Sequence, residues 1–201
     1  LMNMLNNKQL KNWIHRFGYH TDYPHRPLSK EICDPSILGN KGYGLAQMSA
    51  LGFPVPPGFT IITAGCRDYY AKGQTIAQEI WDQVVAEIKL LEKATDKRFG
   101  AGPFPLLLSV RSGAQTSMPG MMDTLLNLGL NDETTQLLAQ ATHDARFAYD
   151  SYRRFIEMYG SIIMGINHHL FTAVMAGIKE AENVHHEAGL TLNVLHTVID
   201  R

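Results

Sequence analysis

The chain has 201 residues, 45% of them hydrophobic and 18% charged, which suits one large or two small packed domains and is too apolar for a disordered chain. Lys and Arg number 18 against 19 Asp and Glu, a net charge of -1, so no global attraction to polyanions favours nucleic acid or an anionic membrane surface. No apolar run approaches the roughly 18 residues of a spanning helix, and no basic stretch followed by an apolar one marks a signal peptide. Cys33 and Cys66 form no CxxC pair and read as free structural thiols in a reducing, cytoplasmic compartment. The chain starts with Leu1 and stops soon after a helical-looking Leu192–Ile199, so it reads as a piece of a longer protein.

Residues 1–35 form a polar N-terminal extension with helical spacing at Leu10, Trp13, Ile14 and Phe17, then a loop with Pro24, Pro27 and Pro35. Ile37-Leu38 is a short apolar stub. A glycine-dense loop, Gly39-Asn40-Lys41-Gly42-Tyr43-Gly44, follows it and opens a helix with Leu45, Met48 and Leu51 on one face. Gly52 ends that helix in the left-handed conformation that glycine adopts cheaply. After the turn Pro54–Gly58, Phe59–Ile62 reads as a buried strand, and Thr63 as the N-cap of a short helix. Ile76, Ile80, Val84, Ile88 and Leu91 predict an amphipathic helix closing near Gly100. Leu106–Val110 is an apolar run expected as a strand buried on both faces, and residues 112–122 as a small-residue loop.

From Asp132 the pattern is helical. Leu137, Ala141, Ala145, Ala148, Tyr152, Phe155 and Tyr159 keep one period over more than six turns, with Asp150–Arg154 and Arg153–Glu157 as i,i+4 pairs. Phe171, Val174, Met175 and Ile178 mark a further helix. The expected class is α+β, with an α/β part at residues 36–131 and a helical part at 132–201.

Two places could carry chemistry. At Gly39–Gly44, backbone amides at a helix start and the charge of Lys41 suit an anion. The run is neither a Walker A loop nor a dinucleotide fingerprint, and a plain turn with a solvated lysine explains it as well. In the second place, Arg111 and Asp123 are the only formal charges between Pro103 and Asn131. Arg111 at a strand end could grip phosphate in a bidentate fork, with Ser112–Gly120 folding over the ligand. Alternatively Arg111 pairs with Asp123 while Met121 and Met122 fill core. His168-His169 and His185-His186 read as solvated or capping histidines, since neighbours on a helix diverge too far to share a metal.

Gly39-Asn40-Lys41-Gly42, Leu45-Ala46-Gln47-Met48 and Gly52–Phe59 resemble the start of the pyruvate phosphate dikinases. Ser109-Val110-Arg111-Ser112-Gly113, Ser117–Thr124, Asn127–Leu130 and Phe147–Phe155 continue the resemblance, which spans roughly residues 37–165. Met118-Pro119-Gly120-Met121-Met122-Asp123-Thr124 separates the chain from the related phosphoenolpyruvate synthases.

The resemblance implies the N-terminal part of an ATP-grasp-like nucleotide-binding domain followed by a helical subdomain. Lys41 and Arg111 would hold ATP phosphates as the catalytic cations. Gly39, Gly42 and Ser112 would line the nucleotide site, and Gly120, Met121 and Met122 would belong to a mobile loop over it. The family usually has Gly-Gly-Lys where Gly39-Asn40-Lys41 stands, and Arg at the position of Gln115, one fewer cation near the phosphates. Its phosphorylated histidine lies in a Thr-Ser-His segment that this chain lacks. The implied Mg2+ ligands, the phosphohistidine domain and the pyruvate/phosphoenolpyruvate-binding domain would all lie downstream, leaving this piece inactive alone; the whole enzyme would be a homodimer. The rival readings are a non-catalytic nucleotide-sensing module, or a dikinase relative with another acceptor such as a glucan or an antibiotic.

Overall fold

A computed structural model describes residues 12–25, 34–113 and 124–200. The chain forms two compact units, one from residues 1–96 with 113–119, the other from 97–112 with 120–201. The expected boundary at 131/132 falls inside the second unit, because Leu130 packs on Leu138 and Ala148 across it. Helices predominate and both strand pairs are antiparallel, which makes the chain α+β.

In the first unit, the later part of the short helical pattern expected at Leu10, Trp13, Ile14 and Phe17 instead forms strand β1 (Ile14–Phe17), paired with β2 (Gly58–Ile61) from Ile14 opposite Ile61 to Phe17 opposite Gly58. A spacing of three and four over so short a stretch is overridden by ladder hydrogen bonds from a distant segment. β2 is only half-buried, with Ile61 exposed; Ile62, just beyond it, carries the burial.

Helix α1 (Pro35–Ala50) starts earlier than expected, because Asp34 caps it by accepting from the Ser36 amide at 2.7 Å. Hydrogen bonding from the Ser36 side chain, and then from its amide, holds the Asp34 carboxyl below its ordinary pKa. The helix breaks at Gly39 and then runs through Lys41, Gly42 and Gly44, so the glycine-dense segment is helical turn and not open loop. Its C-terminus is as expected: the Gly52 amide bonds Ser49 O and the Phe53 amide bonds Met48 O, both at 3.0 Å, with Gly52 at φ 80.

Thr63 does not cap α2 (Thr63–Ala71). It is the first helical residue, and its hydroxyl donates to Ser36 O at 2.7 Å, tying α2 to the start of α1. Leu38, Ala46 and Ile62 form the core there, with Trp13 and Tyr43 against them. Helix α3 (Gln78–Thr95) buries Ile80, Leu91 and Ala94 and closes at Asp96 in the left-handed region, ahead of Gly100. It also buries Glu87, whose carboxylate accepts from Arg16 Nε at 2.7 Å, Arg16 Nη2 at 3.0 Å and the Tyr23 hydroxyl at 2.7 Å.

In the second unit the apolar run 106–110 divides. Leu106 is buried and Leu107 packs on the Leu130 cluster, whereas β3 (Leu108–Arg111) exposes Ser109, Val110 and Arg111. The expectation of a strand buried on both faces is therefore corrected. β3 pairs only with β4 (Thr124–Leu128) among the described residues, and a two-stranded ribbon cannot cover both its own faces.

The long helical period from Leu137 to Tyr159 is also divided, into α4 (Asp132–Thr142) and α5 (Ala145–Met158). Asn131 opens α4 with a reciprocal capping box to Thr134. His143 turns left-handed at φ 55, and Asp144 caps α5 by accepting from the Phe147 amide at 2.9 Å. A π-helical turn, Tyr159–Ile163, extends α5. Helices α6 (His168–Ala181) and α7 (Leu192–Ile199) fall where their periodicity places them and bury Ile178, Leu190, Val194 and Leu195 together. No helix among the described residues is long and apolar enough to cross a membrane.

Candidate functional site

Gly39 has φ 69 and ψ 161, a backbone region that is essentially restricted to glycine. A Cβ at this position would overlap the carbonyl group of Gly113. The break turns the chain so that Asn40, Lys41 and Gly42 form the first turn of a fresh helical stretch. The amides of such a turn have no carbonyl four residues back within their own stretch, and the partial positive charge of the helix start lies there. Lys41 is half-buried and makes no ion pair among the described residues. Gly42 is buried, and a Cβ on it would come within 2.8 Å of the Thr60 methyl and hydroxyl.

Arg111 belongs to the second unit, as the last residue of β3 opposite Thr124. It is exposed, and its Nη2 donates to the Ser109 hydroxyl at 3.1 Å. No carboxylate pairs with it among the described residues. Ser112 is exposed beside it. Gln115, Gly120, Met121, Met122 and Asp123 lie outside the described residues, as does Cys33; Cys66 is an exposed free thiol.

The second unit has an open cleft of about 650 Å3 between β4 and α5, lined by Leu126, Phe147, Asp150, Arg154, Glu157 and His168 among others. None of the candidate phosphate-binding residues that are described lines it. Its charged groups are paired, Arg154 with Asp150 at 3.1 Å and Glu157 with the buried Arg153 at 3.1 Å, and His168 Nδ1 lies 3.6 Å from Glu157. His168, His169, His185 and His186 are all exposed. No three His, Cys, Asp or Glu side chains among the described residues come together as a metal set.

Of the residues singled out from sequence, Gly39, Lys41 and Gly42 are therefore brought together in one turn. Sequence reasoning missed their packing partners Gly113 and Thr60, and no local pattern marks either of them as such.

No protein-family model matches the chain. It is 48% identical over 166 residues to pyruvate, phosphate dikinase of Clostridium symbiosum, a match covering 83% of this chain and 19% of that protein. To the protein of the same name in Rhizobium meliloti it is 50% identical over 170 residues, 85% of this chain and 18% of the relative. To the chloroplastic pyruvate, phosphate dikinase 1 of Oryza sativa subsp. japonica it is 47% identical over 163 residues, covering 81% and 17%. The chain thus spans about one-fifth of the length of the curated relatives it matches. The resemblance carried by the motifs is borne out as similarity to a segment of these dikinases.

Proposed function

We propose that this chain, similar over about four-fifths of its length to pyruvate, phosphate dikinases, is the ATP-binding portion of such an enzyme, with an ATP-grasp-like architecture. The whole enzyme would interconvert ATP, phosphate and pyruvate with AMP, pyrophosphate and phosphoenolpyruvate through a phosphohistidine carried elsewhere. The observation that carries this reading is the glycine-only break at Gly39, which starts the helical turn bearing Lys41, a cation with no carboxylate partner among the described residues. An ammonium without a partner beside a helix start is a donor set that fits a polyphosphate.

Lys41 would neutralise phosphate charge, and the amides of residues 41 and 42 would donate to phosphate oxygens. Arg111 would supply a second, planar donor. ATP brings the transferable phosphoryl group; these residues bind and orient it. Residues 132–201 would serve as the helical companion of this portion. Its Mg2+ ligands, like the phosphoryl acceptor, would lie in other parts of the enzyme. The exposed Cys66 suits a compartment that keeps thiols reduced.

Titrating ATP into the chain and into its Lys41→Ala variant tests the reading. Losing a hydrogen bond to a charged group costs ~1.5–3 kcal/mol, hence roughly 10–150-fold in affinity. Wild-type binding no tighter than that of Lys41→Ala would remove Lys41 from the site.

A further inference from the structure

The three glycines around Lys41 have different surroundings. Residue 39 is held in a glycine-only conformation with the Gly113 carbonyl in the place of a Cβ. Residue 42 lies inside the helix and is buried, with Thr60 Cγ2 and Oγ1 each 2.8 Å from where its Cβ would be. Residue 44 is in the same helix, and no described residue comes within 4 Å of its Cβ position. A loop that stays mobile to wrap a ligand would draw on all three for backbone freedom. A turn fixed by close packing needs only the first two.

We propose that Gly39 and Gly42 are positioning residues that make the Lys41 turn a rigid mount, seated on Gly113 at its first residue and on Thr60 at its last. The ammonium is thereby presented from a preformed turn, so little ordering cost is left for the moment of binding. Glycine at 42 lets helix and strand backbones approach more closely than any side chain permits. The contact at residue 113 is asymmetric: among the described residues a Cβ there would meet only Leu38 O, at an ordinary 3.5 Å. Glycine is thus required at 39 and not by packing at 113. The ligand presented to this mount rests on the ATP reading above; the rigidity does not.

The test uses the 201-residue chain with Gly39→Ala, Gly42→Ala and Gly44→Ala, and Gly42→Ala combined with Thr60→Ala. Amide hydrogen exchange over residues 40–46 is followed without nucleotide, and ATP is titrated into each protein with Lys41 and with Lys41→Ala. In the wild type these amides exchange slowly before any ligand is added. Gly44→Ala does not speed exchange, since alanine favours the helix it stands in, and leaves ATP affinity unchanged. Gly39→Ala and Gly42→Ala speed exchange and weaken ATP roughly tenfold or more, as loss of a charge-assisted contact does. Thr60→Ala restores the Gly42→Ala protein, and in the Lys41→Ala background Gly42→Ala no longer alters ATP affinity, which a merely structural defect would not produce.

Fast exchange in the wild type, Gly44→Ala as damaging as Gly42→Ala, or no rescue by Thr60→Ala each overturns the proposal. Should Gly39→Ala not fold, the Gly42 and Thr60 pair decides. ATP affinity indifferent to Lys41→Ala would sink the ATP reading, while hydrogen exchange still decides whether the mount is rigid.

Discussion

Glu187 accepts a hydrogen bond from Arg153 Nη2 at 2.8 Å, joining α5 to the short 3-10 turn Glu187–Gly189 that precedes α7. The Arg153 side chain is 5% exposed and also pairs with Asp150 at 3.0 Å and Glu157 at 3.1 Å. Its neighbour Arg154 pairs with Asp150 as well, but 56% of its side chain is in solvent. Arg146 fastens the same turn through its bonds to Glu187 O and Leu190 O.

Adjacent arginines in such different surroundings should differ sharply on truncation. Arg153→Ala removes the buried guanidinium that Asp150, Glu157 and Glu187 share, and should cost ~3–5 kcal/mol. Arg154→Ala removes an exposed pair worth ~0–1 kcal/mol. Urea denaturation of both variants checks this, and similar losses would mean that burial is not what gives Arg153 its weight.

Glu87 should behave like Arg153. Glu87→Ala leaves the Arg16 guanidinium and the Tyr23 hydroxyl facing each other without their shared acceptor, and should cost ~3–5 kcal/mol. Glu87→Gln keeps an acceptor for Tyr23 and should lose less. The order of midpoints, wild type above Gln above Ala, is the readout.

Tyr152 donates to Asp132 Oδ1 at 2.7 Å. Burial, then that hydrogen bond and the Asp132 charge, push its pKa up to about 12. A group whose folded pKa is raised contributes stability that is fully present below the unfolded value, ~10 for tyrosine, and is lost as pH rises through the folded one. The wild type should therefore lose more stability between about pH 10 and pH 12 than Tyr152→Phe does. Denaturant midpoints at both ends of that window decide it; parallel slopes would count against the Tyr152–Asp132 bond.

Arg111 is exposed and unpaired with any carboxylate among the described residues. Arg111→Ala should leave stability within ~0.5 kcal/mol. If Arg111 grips phosphate as proposed, its loss from the whole enzyme should slow phosphoryl transfer by ~10²–10³. A stability loss of several kcal/mol with an unchanged rate would return Arg111 to a structural role.

Wherever a local rule closes on itself, the elements were legible in the amino-acid order. Leu192–Ile199 has helical periodicity, and Gly52 sits at the end of α1 in the left-handed conformation that its position requires. The blocks around Lys41 and Arg111 carried the likeness to the dikinases, because that likeness resides in residue identities and not in their packing. What depended on remote partners was not legible. β1 is a strand because β2 lies beside it. The period from Leu137 to Tyr159 runs through a reversal that His143 and Asp144 impose. Gly39, Gly42 and Gly44 look alike in sequence, yet only Gly113 and Thr60, brought against two of them by the fold, separate those that must be glycine from the one that need not. Periodicity and capping act over a few residues of chain, whereas burial and close approach depend on which distant segment occupies the neighbouring space.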